Sequence, residues 1–348
     1  MTNNGVFKFF PVGQGLFYYG NINDGEITFV YDCGSTSDRD KCSEYIKVIK
    51  EELKDQRLCF VILSHFHADH CNMLQELYDV VGFDQLFIPF QNYNLAIGAF
   101  SSSVDSAKDY ENIVFIKKIL SKDLCDCEIF DVGNNNDNYK YLLKKFLNKW
   151  RFELISKQHD SYSVLAFQKA ISKIDKTKLD YKKIGDIYSK IFKEQDINEC
   201  SLMLFHYPPH IGRIKTNIIK KGHNPQGFTL LTGDINFNKD LALIVKEKYK
   251  KEGTNILKGL IQLPHHGSIK NFNSFRNSFS KDISSSHLKN PRYSHFSYYI
   301  VNYGINKYRH PCGDIFSDAT IKNKTYRVCI EKKGSTIKRI QGFQYKVE

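Results

Sequence analysis

Val61-Ile62-Leu63-Ser64-His65-Phe66-His67-Ala68-Asp69-His70 is the stretch from which the rest of the chain can be read. Its first half is a short apolar run, partly β-branched and too brief for a helix of its own, as a buried strand should be. Its second half gathers three histidines and an aspartate at the strand's tip. In extended backbone His65 and His67, two apart, point to the same side. Asp69 and His70 come next on the turn and approach from another direction. Imidazole and carboxylate at this density suit a divalent transition metal, with room for two ions. The plainer alternative is a histidine-rich loop without metal, and four donors at one strand end argue against it.

Beyond that stretch, 348 residues hold one large domain or two ordinary ones. Twenty-six Phe and twenty-one Tyr against three Met suggest a sheet-rich interior packed with rings. The net charge of +12 favours polyanions, either nucleic acid or phosphorylated substrates, although many basic proteins bind neither. Nine cysteines without a CxxC pair fit a reduced intracellular setting better than a disulfide framework. Met1-Thr2-Asn3-Asn4-Gly5 lacks the basic and apolar regions of a secretory signal. Nowhere do about 18 apolar residues run together, so no membrane span is expected. The expectation is a soluble, cytoplasmic protein with no membrane partner, its partner proteins left open.

The opening, 6–32, reads as an antiparallel meander of short aromatic strands with turns at Gly13-Gln14-Gly15 and at 21–25. Asp32, at the tip of the third strand, is as readily a turn former as a functional group. Cys42, Tyr45, Ile46, Ile49 and Leu53 make one stripe and predict a helix over 39–53. Beyond the histidine strand come a helix through Met73, Leu74, Leu77 and Tyr78, a strand at 86–88 stopped by Pro89, a helix at 111–120 and a strand at 128–132. That alternation is α/β layering.

From 138 to 196 the character changes. Tyr139, Leu142, Leu143, Phe146 and Trp150, then Ile184, Ile187, Tyr188 and Ile191, recur at helical spacing. Fourteen Lys plus Arg against seven Asp plus Glu (14 − 7) supply +7 of the net charge. We read this as a helical insertion in a single domain spanning 1–348. Its charge is either a solvated face, the commoner outcome, or a grip on a phosphate backbone. Strands return at 201–205, at 227–234 ending in Gly233-Asp234, and at 256–263 ending in Pro264-His265-His266-Gly267-Ser268, with a helix at 240–251. A basic Ser- and Asn-rich loop fills 271–294, and a strand at 298–302 leads to Asn306, Tyr308, His310 and Pro311. Strands at 325–331 and 339–346 close the chain as an edge pair.

Four strand ends thus carry metal-capable groups: Asp32, the His65 to His70 cluster, Asp234, and His265-His266. Sites in layered α/β folds gather where strand ends meet. The HxHxDH run resembles the signature of the metallo-β-lactamase superfamily. Gly13-Gln14-Gly15, Tyr31-Asp32-Cys33-Gly34, Leu231-Thr232-Gly233-Asp234 and Pro264-His265-His266-Gly267-Ser268 occur in the order of its ComEC-like hydrolases. That group includes the hydrolase domain of DNA-uptake proteins. Asn198 and Ser201, then Asn306, Tyr308, His310 and Pro311, look like its late motifs. Leu16 departs from the pattern, which has an acidic residue there, and no histidine stands at a clear strand tip between the two halves. Asn198, Ser201 and His206 are what that region offers; His159, His210 and His223 lie in less regular sequence.

The resemblance implies an α/β fold, the four-layer αββα sandwich, with the lysine-rich insertion outside it. It also implies two divalent ions, Zn²⁺ or Mn²⁺. His65 and His67 would hold one and Asp69 and His70 the other; Asp234 would bridge, and His265 or His266, with His265 favoured, would complete the second. Asp32, Asn198 and Ser201 would orient ligands. A water shared by the ions would ionise near neutral pH and attack phosphorus in line. Asp69, His266 and His310 would serve the chemistry, and Ser268, Asn306 and Tyr308 the substrate. The activity so implied is a two-metal phosphodiesterase or nuclease. A hydrolase of a small phosphoester, cyclic nucleotide or other ester uses the same site, and a binding module without turnover keeps the same fold.

Overall fold

The computed structural model describes residues 4–89, 93–103, 110–124, 126–132, 146, 148–155, 161–174, 180–192, 201–209, 214–215, 228–235, 259–268, 271, 273, 298–304, 311, 314–317, 325–333 and 336–347. The chain begins with β1 (Gly5–Phe9), β2 (Phe17–Ile22) and β3 (Ile27–Cys33), then α1 (Arg39–Leu53) and β4 (Phe60–Ile62). Then come α2 (Ala68–Cys71), α3 (Leu74–Val80), β5 (Gln85–Pro89), α4 (Tyr93–Ser103), α5 (Tyr110–Leu120) and β6 (Glu128–Val132). The middle of the chain supplies β7 (Arg151–Ile155), α6 (Ser161–Ile171), α7 (Tyr181–Ile191), β8 (Met203–Tyr207), β9 (Ile214–Lys215), β10 (Thr229–Leu231) and β11 (Leu260–Gln262). A 3₁₀ turn over His265–Gly267, β12 (Tyr298–Tyr303), β13 (Thr325–Lys333), β14 (Thr336–Gln341) and β15 (Phe343–Val347) complete it.

Two sheets face each other. One runs β6-β5-β4-β3-β2-β1-β15-β9 and the other β14-β13-β12-β11-β10-β8-β7. β1 to β3 are the expected antiparallel meander, and β3 to β6 are parallel. Parallel neighbours need crossovers, which α1, α3 and α5 supply. Asp38 caps α1 by accepting from Lys41 N at 3.2 Å, and the helix buries Cys42, Ile46, Ile49 and Leu53 against the first sheet's outer face. α4, α6 and α7 enlarge that outer layer. This is the mixed α/β sandwich expected from the sequence.

The space between the sheets is filled by rings, which accounts for the aromatic composition. Phe29 stacks on Phe60 at 5.2 Å and meets Phe152 edge-on at 5.2 Å, while Trp150 packs on Phe7. His206, on β8, lies in this interior. Trp150 Nε1 donates to its Nδ1 at 3.1 Å, so its Nε2 carries the proton and faces Tyr18 Oη at 2.7 Å. Tyr18 Oη is in turn 2.7 Å from Tyr345 Oη, which is bonded to Thr229. A buried polar chain closed on itself in this way holds the two sheets in one register.

Two parts of the sequence reading differ from the structure. The closing pair holds only in part: residues 339–341 do pair with β13 at the sheet's edge, as part of β14, but β15 crosses to the first sheet and lies between β1 and β9. The cause is its alternation, since Phe343, Tyr345 and Val347 all bury into the interior between the sheets. Within 138–196, α6 and α7 are helices but residues 151–155 form β7, paired with β8. Trp150, Phe152 and Leu154 keep a period of two that fits a sheet face, and β7 begins after the turn in which Trp150 N donates to Phe146 O at 2.7 Å; residues 139–145 lie outside the described residues. The helix expected at 240–251 lies outside the described residues, as does all but Asn271 and Asn273 of the loop at 271–294. Among the described residues no helix is long and apolar enough to cross a membrane.

Burial drives the basicity of His206 down to about 3. The unfolded chain therefore binds a proton there that the folded chain refuses. Stability from this site is full above about 6.5 and drains as pH falls toward 3, by about 4–5 kcal/mol in all. Urea titrations across that range should show the slope, and His206→Gln, which can still accept from Trp150 and donate to Tyr18, should flatten it.

Candidate metal centre

Asp32, the His65 to His70 cluster, Asp234 and His266 meet at one edge of the sandwich, beyond the carboxyl ends of β3, β4, β10 and β11. Parallel registers put these ends level: Tyr31 beside Ile62 in one sheet, Leu230 beside Ile261 in the other. The sheets are joined at this edge. Leu202 N donates to Ser64 O at 2.7 Å, and Tyr31 Oη donates to Leu202 O at 2.7 Å. The turns leaving the strands of one sheet are therefore held close to those leaving the other.

Asp32 is wholly buried and sits at φ +57°, a left-handed conformation unusual outside glycine. Its carboxylate accepts from Ser64 N at 2.6 Å and from Ser64 Oγ at 2.6 Å, and lies 2.8 Å from His70 Nδ1. Since Ser64 spends its hydroxyl proton on Asp32, His65 Nδ1, 2.9 Å away, must donate to Ser64 Oγ. His70 Nδ1 likewise donates to Asp32. Both imidazoles thereby keep a proton on Nδ1 and turn Nε2 to the centre.

His70 Nε2 stands 3.2 Å from Asp234 Oδ1, and His65 Nε2 4.0 Å from Asp234 Oδ2. His65 Nε2, His70 Nε2 and Asp234 Oδ1 are buried and make no hydrogen bond. Such orphaned atoms are costly unless something electrophilic joins them. Asp69, His70, Asp234 and His266 each offer a ligand atom within 4.8 Å of the others. Two carboxylates and two imidazoles converging on one point form a donor set suited to a divalent cation.

The pair of histidines after β11 is resolved by geometry. His266 Nδ1 lies 3.1 Å from Asn302 O and donates to it, which aims Nε2 at Asp69 Oδ2 (3.1 Å) and Asp234 Oδ1 (3.8 Å). His265 is half-buried and lies outside the group of four. Both sit in left-handed backbone, φ 49° and 51°, and His266 joins the cluster from this double turn. The sequence favoured His265; the structure brings His266 into the group of four.

Crowding sets the electrostatics. Burial disfavours charge on His70, yet Asp234, Asp69 and Asp32 outweigh it and raise its basicity well above the ordinary range. At His266 burial is likewise overcome, by Asp234 and Asp69. Burial, then His70 and His67, holds His65 neutral, and burial pushes His67 down to about 4. At Asp69 and Asp234 burial is outweighed by the imidazoles, His70 first, which hold both carboxyls below the usual range. A cation entering here would replace protons that the carboxylates otherwise retain on the imidazoles.

His67 is half-buried, its ring 4.7 Å from that of His65. Ser201 Oγ is buried without a partner and is not in the group of four. Ser268 closes the turn after His266, its N–H donating to His265 O at 2.9 Å. Cys71 donates to His67 O at 3.2 Å and packs in the core. Leu16, the departure near the start, is buried, and its N–H donates to Asp69 O at 3.2 Å. A Cβ on Gly34 would come within 2.6 Å of His70 N, so only glycine lets the β3 tip lie against the ligand helix. Asn198, Asn306, Tyr308 and His310 lie outside the described residues, as do His159, His210 and His223. Sequence reasoning missed Ser64 and Asn302. Ser64 was visible as the polar residue before His65; Asn302 contributes a backbone carbonyl, which no side-chain pattern reveals.

Residues 17–85 match the family model of the metallo-beta-lactamase superfamily. That span holds β2 to β4 and the whole His65 to His70 cluster. No curated protein matches the chain. Among solved structures, the metallo-beta-lactamase fold protein YhfI from Bacillus subtilis is 12% identical, covering 87% of this chain and 98% of its own, at a TM-score of 0.34. A candidate metallo-beta-lactamase from Thermotoga maritima is 10% identical, with 72% and 87% covered and a TM-score of 0.31. Hydrolase AbOPH of the beta lactamase superfamily is 11% identical, with 69% and 70% covered and a TM-score of 0.30. Scores this low add no weight of their own.

Asp32→Asn keeps the shape but puts an amide where an acceptor to both Ser64 and His70 is required. Affinity for Zn²⁺, read by competition with a chromogenic chelator, should fall about 10–100-fold, as it does when outer partners of ligands are lost.

Proposed function

We propose that this protein is a metal-dependent hydrolase that cleaves phosphodiester bonds in nucleic acid. The observation that carries the reading is the convergence of His65 Nε2, His70 Nε2 and Asp234 Oδ1, buried and unpartnered, beside Asp69 and His266. Asp69, His70, Asp234 and His266 would hold one divalent cation; His65, His67 and the shared Asp234 would hold a second, with fewer ligands and less tightly. Cations so held supply a water of lowered pKa and neutralise charge on the ester oxygens.

The chain's own residues do the rest. Asp32 and Ser64 keep two imidazoles in the tautomer that presents Nε2, and Asn302 O does so for His266. Asp69, its side chain 17% exposed where Asp234 is 3%, is the more open carboxylate. The buried remainder excludes bulk solvent, which strengthens each of these interactions.

Nucleic acid is favoured as substrate by the charge: a net +12, of which 138–196 supplies +7. The ComEC-like order of motifs points the same way. Zn²⁺ and Mn²⁺ both suit imidazole and carboxylate donors.

The test is turnover of labelled single- and double-stranded DNA, of RNA and of bis-p-nitrophenyl phosphate, with Zn²⁺ or Mn²⁺ and after chelation. Expected are metal-dependent cleavage of a polymer and its loss by more than about a hundredfold in Asp234→Asn, beyond what outer partners cost. Cleavage of the small ester alone would replace nucleic acid with a small phosphoester. Absence of any metal-dependent turnover would leave a binding module.

A further inference from the structure

The ligand helix α2 is only four residues long and cannot hold its own position, since a single turn gains too little to offset its ordering. His67, at its N-cap, makes no side-chain cap. Among the described residues, three contacts from outside fall on its backbone. Leu16 N donates to Asp69 O, and Gly34 lies against the Asp69–His70 peptide. The third contact comes from α4: Ser103 Oγ accepts from Ala68 N at 2.9 Å and donates to Phe100 O at 2.8 Å. Ser103 is thus the cap that α2 lacks, lent by the last residue of another helix.

The first two contacts belong to the β1–β2 loop and the β3 tip. The third belongs to an element whose position is set by the lysine-rich helix pair. Gly185 of α7 lies so close to α4 that a Cβ would stand 2.7 Å from the carbonyl carbon and oxygen of Ser101. Gly98 of α4 answers it, a Cβ there meeting Phe167 of α6 and Tyr188 of α7 at 2.8 Å. Gly185 thus brings the backbones of α7 and α4 together, and Gly98 makes room for two rings of the helix pair. The contact at Ser101–Ser102 is one residue from Ser103.

We infer that Ser103 is a positioning residue for the metal ligands Asp69 and His70, and that α6–α7 sets its position through the Gly185 contact with α4. Whatever displaces the helix pair, a polyanion on its lysines included, is then felt at Ala68 N and at the two ligands after it. The inference rests on the reading of Asp69 and His70 as metal ligands, but its geometry does not involve the cation.

The experiment compares wild type with Ser103→Ala, Ser103→Thr, Gly185→Ala and the Ser103→Ala, Gly185→Ala double variant. Two readouts are taken: amide hydrogen exchange at Ala68, Asp69 and His70 in metal-free protein, and Zn²⁺ affinity with the visible spectrum of the Co²⁺ form. Ser103→Ala should speed exchange at Ala68 and weaken Zn²⁺ about tenfold, with a shifted Co²⁺ spectrum; Ser103→Thr should restore all three. Gly185→Ala should do part of the same, and should add less than about twofold once Ser103 is alanine, because both act along one path. Wild-type exchange, affinity and spectrum in Ser103→Ala overturn the positioning role, whatever Gly185→Ala does to folding. A Gly185→Ala effect that persists in full in the double variant overturns the path. If wild type takes up no cation, the metal reading falls and the exchange comparison alone decides the coupling.

Discussion

A carboxylate with no water around it must be given its hydrogen bonds by the protein, and Asp32 is the one on which this structure turns. Wholly buried, it takes two hydrogen bonds from Ser64 and one from His70. A buried charge this well supplied is rigid, and rigidity is what its neighbours need. Ser64, committed to Asp32, can only accept from His65; His70, committed to Asp32, can only offer Nε2 to the centre. One side chain thereby orders two imidazoles, and its left-handed backbone is the conformational cost of placing it at the strand's end.

The same constraint explains why the two sheets meet as they do. Asp234 and His266 come from the second sheet, Asp69 and His70 from the first, and a donor set within 4.8 Å tolerates little sliding between them. Sliding is opposed at three places. Leu202 exchanges hydrogen bonds with Ser64 and Tyr31 at the edge of the site. The Trp150–His206–Tyr18–Tyr345 chain locks the interior. β15 leaves its sequence neighbour β14 to join the opposite sheet. Around these polar fasteners the rings of Phe7, Phe29, Phe60 and Phe152 supply the bulk of the buried area and with it the driving force.

Much of this was legible in the sequence because it is local. The HxHxDH run, Asp32 before Gly34 and Asp234 after Gly233 each stand at the end of a short apolar strand, and strand, turn and donor lie within ten residues of one another. The helix over 39–53 was equally plain from its stripe. Where the reading went astray, a short-range pattern was outweighed by a distant partner. Within the span read as helical, the alternation of Trp150, Phe152 and Leu154 had a sheet to face.

From sequence alone came the class of fold, the four strand tips and the kinds of donor they carry, since strand period and side-chain chemistry are properties of neighbouring residues. Tertiary structure brought His266 into the group of four, its ring aimed by a left-handed turn and by a carbonyl on β12. It also decided the role of Ser64, whose single proton has meaning only once Asp32 and His65 are both within reach. And it alone placed Ser103 over Ala68, for a hydroxyl borrowed from another helix leaves no trace in the spacing of either segment.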